Sequence, residues 1–339
     1  MKKIFKSIPI IIISLLAISC SRSEQADNTK VRIGYFPNIT HSQALIGKAG
    51  GQFQKTLGNN EIEWKMFNAG PSEMEAMLAG ELDIAYIGPG PAINGYVKSK
   101  GDVKIIAGAT NGGAILISRK DLKLSNLQDL AGKKIAVPQF GNTQDLTLRY
   151  LLNQNGLKDT TKGGNVEIRQ VENPDVKVLL EKGDIDAALV PEPWGSTLVK
   201  EIGANVILDY NKLWRDGNYS TAVVIARKDF IEKHPDIVEK FLKTYVELTE
   251  ETLKNSDQTK QMVNDEINNI TKKALSKDIL DAAFGRMTVT YDPQKESVVD
   301  FADLSVEIGT LKEKPDTNEL FDLSILNKVL KNKNYNTIP

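Results

Sequence analysis

Short apolar runs alternate with amphipathic stretches along most of the chain, and two of these runs are versions of one pattern. Gly80-Glu81-Leu82-Asp83-Ile84-Ala85-Tyr86-Ile87-Gly88-Pro89-Gly90-Pro91 returns in weakened form as Gly183-Asp184-Ile185-Asp186-Ala187-Ala188-Leu189-Val190-Pro191-Glu192-Pro193-Trp194. Gly80 and Gly183, Asp83 and Asp186, and the upstream Pro71 and Pro174 are each 103 positions apart. In each copy a proline opens a helical pattern that stops at a glycine. An apolar run then follows an Asp and empties into a Gly/Pro cluster, as a buried strand running into a loop does. Two such units predict two similar α/β lobes facing each other. Ligands of open α/β sheets sit beyond the carboxyl ends of the strands, so the cleft between the lobes is the expected site.

The same patterning fills in the first lobe. Val31–Tyr35 predicts a strand, followed by a helix with Thr40 and Gln43 at capping-box spacing. Glu61–Phe67, Asp83–Ile87 and Val103–Ala107 are further strands, separated by helices at Ser72–Leu78 and Ala92–Ser99; this β-α order predicts a parallel sheet. A second set follows: strands at about 133–137, Val166–Val171, Asp186–Val190 and Ala204–Leu208, with a helix from Gln139-Phe140-Gly141-Asn142-Thr143-Gln144-Asp145 to about Asn155. Gly113–Ile117 and Thr221–Ala226 share an apolar, small-residue character and are expected to be two crossover strands. Lobe 1 is then residues 31–114 and 224–332, and lobe 2 is residues 115–223. Beyond Asp229 the pattern is helical, with no clear apolar strand, and the tail after Lys331 is expected to fray.

Composition and charge narrow the function. At 41% apolar and 26% charged the chain is of ordinary globular type, and its net charge of −1 gives no attraction for nucleic acid. Lys2, Lys3 and Lys6 precede an apolar stretch from Ile8 to Ile18 that is too short to span a bilayer, then Ala17-Ile18-Ser19-Cys20. This predicts a signal peptide over residues 1–20 and a flexible tether over residues 21–30. The sole cysteine, Cys20, ends that segment. Its setting resembles a bacterial lipobox, which implies lipidation of Cys20 and anchoring of the exported protein to a membrane.

Catalytic constellations are scarce. With His41, His234 and Cys20 as the whole His/Cys complement, neither a His/Cys metal cluster nor a Cys–His pair can be assembled, and no phosphate-loop motif is present. Neither a metal nor a cofactor is expected. Neutral anion binding fits better. Gly141-Asn142-Thr143-Gln144 stands where a strand hands over to a helix, and N–H groups at a helix start bind anions, with ordinary N-capping as the alternative. Gly70-Pro71-Ser72-Glu73, Gly88-Pro89 and Pro37-Asn38 form similar joints, where capping alone is the alternative to contact. Trp194 either covers a ligand or closes the cleft, or packs as an interface tryptophan; Glu192 beside it repels an anion unless it meets an amine or a lobe-spanning partner. His41 reads as a solvated helix residue with some prospect of ligand contact. Core packing is the expected role of Trp214 and Tyr219.

The runs Gly88–Tyr96, Gly112-Gly113-Ala114, Pro138–Asp145, Asn173-Pro174-Asp175 and Pro191–Trp194 together resemble the nitrate/sulfonate/taurine group of ABC-importer solute-binding proteins, over about Val31 to Asp236. The resemblance implies a type II periplasmic-binding-protein fold, with two α/β lobes joined by two crossover strands. It further implies a monomer that captures a small anionic solute, an aliphatic sulfonate or taurine, and delivers it to a permease and its ATPase. Ligand contacts then fall on Phe36, Pro37, Asn38, Gly88, Pro89, Gly141, Asn142, Thr143 and Trp194. Nitrate is the alternative ligand. A fold-related biosynthetic enzyme and a receptor that reports to a membrane sensor are the rival classes.

Overall fold

The computed structural model describes residues 28–254 and 256–339. The expected signal segment and Cys20 lie outside the described residues.

In chain order the elements begin with β1 (Lys30–Tyr35), a 3-10 turn at Ile39–His41, α1 (Ser42–Ala49), α2 (Gln52–Leu57), β2 (Glu61–Met66), α3 (Gly70–Leu78), β3 (Ile84–Ile87), α4 (Pro89–Lys98) and β4 (Val103–Gly112). The chain then passes into β5 (Ala114–Ser118), β6 (Lys134–Val137), α5 (Thr143–Gln154), β7 (Glu167–Gln170), α6 (Asn173–Lys182), β8 (Ala187–Pro191), α7 (Trp194–Ile202) and β9 (Asn205–Leu208). After α8 (Tyr210–Leu213) come β10 (Ser220–Arg227), α9 (Lys228–Lys233), α10 (Pro235–Leu253), α11 (Asp257–Thr271), α12 (Lys277–Phe284), β11 (Met287–Val289), α13 (Lys295–Glu307) and α14 (Ser324–Asn332).

Two sheets result, ordered β11-β4-β10-β3-β1-β2 and β7-β6-β8-β5-β9. Both are mixed. In the first, β1 pairs in parallel with β2 and β3, but β10 lies between β3 and β4 and runs antiparallel to both. In the second, β6 is parallel to β7 and β8 while β5 is antiparallel to β8 and β9. The parallel sheet expected from β-α order is therefore corrected: each sheet includes an antiparallel strand, β10 in the first and β5 in the second, that enters where the chain passes between the lobes. Each fits there because β5 is buried throughout and β10 as far as Ala226, as a strand covered on both faces must be.

The 103-residue echo has a structural meaning. Asp83 accepts from Arg32 N at 2.9 Å, and Asp186 accepts from Lys134 N at 2.9 Å, so each carboxylate ties its own strand start to the neighbouring strand. Arginines complete both braces: Arg32 and Arg227 on Asp83, Arg119 on Asp186. Gly80 and Gly183 each adopt a left-handed φ that ends the preceding helix, and Pro71 and Pro174 each sit in a first helical turn.

Several local expectations are overturned. Thr40 and Gln43 form no capping box; Gln43 Nε2 instead donates to Ala109 O at 3.0 Å, binding α1 to β4. α4 begins at Pro89 rather than Ala92, because two prolines in a first turn cost no hydrogen bonds. A strand does follow Asp229: β11 pairs with β4 and forms the edge of the first sheet. The tail is pinned as well, since Asn327 exchanges hydrogen bonds with the backbone of Ile338.

The largest core lies under the C-terminal helices, where Phe53 stacks on Phe241 at 4.8 Å and Tyr86 meets Tyr245 at 5.9 Å. On the other face of the first sheet, Glu73 of α3 is fully buried with neither carboxyl oxygen partnered. Its carboxyl fills the space that a Cβ on Gly34 would take. Burial pushes that carboxyl well above its ordinary value of 4.5. An acid raised in this way lends its full stability below pH 4.5 and loses it as pH climbs. Glu73→Gln is expected to stabilise the protein at neutral pH by about 1–3 kcal/mol, with little change in acid. Melting curves of both proteins at pH 4 and pH 8 test this, and parallel curves would refute it.

Candidate functional site

Four helices start at one place. The first turns of α3, α4, α5 and α6 open on a small cavity between the lobes, lined by Gly70, Gly88, Asn142, Thr143, Gln144 and Asn173 together with Phe36, Asn38, Thr40, His41 and Thr221. Helix starts carry partial positive charge and orphan N–H groups. Within this set the N–H groups of Gly70, Thr143, Gln144 and Asn173 have no acceptor among the described residues. No Asp, Glu, Lys or Arg lines the cavity. The space is small, about 30 Å³ open to the centre of a water molecule. That admits roughly two or three waters.

Local sequence explains which donors remain. Asn142 caps α5 by accepting from Asp145 N at 2.8 Å, which leaves its amide NH2 as the donor. Asp145 turns back to accept from Gly141 N at 2.7 Å, so Gly141, an expected contact, has its N–H consumed by the chain itself. Arg149 bonds Asp145 at 2.8 Å and Asp159 at 2.7 Å, balancing that carboxylate behind the helix start. In α4, Pro89 and Pro91 supply no N–H, and Gly90 N points to Thr143 Oγ1 at 3.4 Å across the cleft. α4 therefore contributes its dipole more than its donors.

His41 departs from expectation. It is 2% exposed, stacks on Phe36 at 4.5 Å, and its Nδ1 accepts from Phe36 N at 3.0 Å. Burial drives its pKa from 6.5 down to about 3, so the ring is neutral and carries its proton on Nε2.

The lobes touch around the cavity. Trp194 Nε1 donates to Asn38 Oδ1 at 2.8 Å, and Asn68 Nδ2 to Glu172 Oε2 at 2.7 Å. Glu192 meets a lobe-spanning partner, as the sequence allowed: it is fully buried, accepts from Ser196, and faces Arg286 at 3.4 Å. Arg286 also bonds Asp209 at 2.9 Å, so one guanidinium from beside β11 pairs with two acids of the second lobe.

Of the expected contacts, the structure brings Phe36, Asn38, His41, Gly88, Asn142 and Thr143 to the cavity wall. Pro37 and Trp194 line an adjoining groove instead, while Pro89 and Gly141 line neither. Sequence reasoning missed Thr221 and Arg286, and named Gly70, Gln144 and Asn173 only within a loop-to-helix joint or a motif. The repeat held a signal for one pair, since Gly70 and Asn173 are also 103 positions apart and both open a helix before a proline.

The profile of the NMT1-like family matches residues 24–264, and the chain belongs to that family. It is 29% identical over 245 residues to the taurine-binding periplasmic protein of Escherichia coli, covering 72% of this chain and 73% of that one. The periplasmic nitrate-binding protein NrtA from Synechocystis PCC 6803 superposes with a TM-score of 0.76 at 17% identity, over 90% of this chain and 89% of its own. The periplasmic aliphatic sulphonate binding protein SsuA from Escherichia coli gives 0.68 at 20% identity, over 86% and 92%. The fold is that of periplasmic binding proteins.

His41 supplies a pH test. A base whose folded pKa is depressed contributes stability that is whole above 6.5 and is lost as pH falls toward 3. His41→Gln is expected to remove most of that acid-side decline, measured as melting temperature between pH 7 and pH 4. An unchanged slope would show that the ring does not stay neutral.

Proposed function

We propose that this member of the NMT1-like family is the solute-binding subunit of an ABC importer, capturing a small oxyanion-bearing organic solute between its lobes and presenting it to a permease. The observation that carries this is the cavity itself. Four helix starts and four unclaimed N–H groups converge there, with no fixed charge among the lining residues. An ionised sulfonate only accepts hydrogen bonds, so N–H donors from both lobes replace its hydration without a counter-ion. The relatives support the reading, being named for taurine, aliphatic sulphonate and nitrate. Binding is a closure equilibrium: contacts from both lobes exist only when the cleft is shut, so the solute favours the shut form.

The cavity volume favours a second reading, in which the ligand is nitrate itself. Thermal shifts with alkanesulfonates, taurine and nitrate separate the two. A ligand at a thousand times its dissociation constant adds about 4 kcal/mol to folding stability.

Closure has a sharp test in Gly88. A Cβ there would collide with Thr143 Oγ1 of the opposite lobe, whereas the backbone of Gly88, at φ −72° and ψ 152°, suits any residue. Gly88→Ala is expected to fold normally and lose at least about tenfold in solute affinity, roughly 1.4 kcal/mol. Unchanged affinity in titration calorimetry would mean that the shut form is not the binding form.

Export and anchoring through Cys20 belong to the same reading. Among the described residues no helix is long and apolar enough to cross a membrane. Cys20→Ser is expected to shift the protein from the membrane fraction to the soluble fraction of cells, and persistence in the membrane fraction would sink the lipid anchor.

A further inference from the structure

Next to the cavity lies a larger groove of about 340 Å³ on the same measure. The two spaces share Asn68 and Asn173 in their walls, so the groove begins where the cavity ends. Its character is different. Trp194 and Leu198 of α7, Ile267 and Ile270 of α11, and Leu275 and Pro37 line it. Lys177 and Lys273 also line it, and both bond the same carboxylate, Glu201, at 2.9 and 2.7 Å. Two ammonium groups thus share one acid, and no Asp or Glu lines either space.

The geometry points to a head-and-tail site that selects organic oxyanions bearing an uncharged apolar tail and disfavours those bearing an ammonium group. This rests on the oxyanion reading of the cavity. A cavity with room for a few waters holds a head group and no more, so the rest of the solute must leave by the shared wall into the groove. There an alkyl chain meets aliphatic and indole surface, and burial of each methylene is favourable. An ammonium group in the same place finds no carboxylate in the lining, with Glu201 already held by two lysines and Glu172 by Asn68, and it loses its hydration. Among sulfonates, the chain is therefore expected to bind alkanesulfonates better than taurine, although it shares 29% identity with a taurine-binding relative.

The test is titration calorimetry of the purified protein with methanesulfonate, propanesulfonate, hexanesulfonate and taurine, the second and last being nearly isosteric. Affinity is expected to rise with chain length by up to about fourfold per methylene, and propanesulfonate to bind at least about tenfold tighter than taurine. Ile270→Ser, at a half-buried position on the groove side, is expected to weaken hexanesulfonate by about tenfold and to leave methanesulfonate within twofold. Affinity that is flat with chain length, or taurine matching propanesulfonate, overturns the groove while leaving the head site standing. Failure of all four to bind overturns the sulfonate reading beneath it.

Discussion

An anion leaves water only if something inside the protein replaces its hydration, and in the proposed binding mode backbone does so. Helix dipoles and unclaimed N–H groups are fixed by secondary structure, so the donors at Gly70, Thr143, Gln144 and Asn173 are in position before any solute arrives. The rest of the architecture serves that convergence. A helix start can face the cleft only if the strand before it ends at the cleft, and the Asp83 and Asp186 braces hold the far ends of those strands in register. One motif used twice places two sets of helix starts face to face.

The same arrangement explains why acids are managed with care around the cavity. Glu192 is fully buried close to the site and would oppose an anion, yet Arg286 and Ser196 engage its oxygens. Asp145, at the start of α5, is matched by Arg149. Beside the ion pairs of Arg286 with Glu192 and Asp209, the lobes meet at the cavity through neutral contacts, Trp194 with Asn38 and Gly90 with Thr143, which lose little by separating into water. A binding protein must release what it captures, and weak polar latches suit both halves of that cycle.

Most of the fold was legible because its signals are local. Proline openings, glycine stops and apolar runs located β1, β2, β3, α3, α6 and β8 to within a few residues. What failed was non-local. Nothing near Val103 tells that β10, more than a hundred residues later, enters between β3 and β4, nor that Met287–Val289 will find an edge to pair with. Thr40 and Gln43 carry the letters of a capping box, but Gln43 gains more by reaching Ala109 in the core. The candidate site was legible to the level of loops and not of atoms. Gly141 was chosen for its N–H, which Asp145, four residues on, had already claimed. His41 looked solvated because its burial is made by Phe36 and Tyr86, which only the fold brings to it.

A site assembled from backbone N–H groups and a neutral imidazole has a further property. Amides do not titrate, and His41 stays uncharged down to about pH 3. A sulfonate is ionised over the same range, so neither partner in the complex changes charge across the pH values an exported protein meets. A lysine or a protonated histidine would give stronger attraction at long range, but a histidine would lose it near neutrality. Either would also hold the solute in the open cleft, where release should be easy. Using dipoles that act only at contact distance makes affinity depend on closure, and closure is the event a permease can sense.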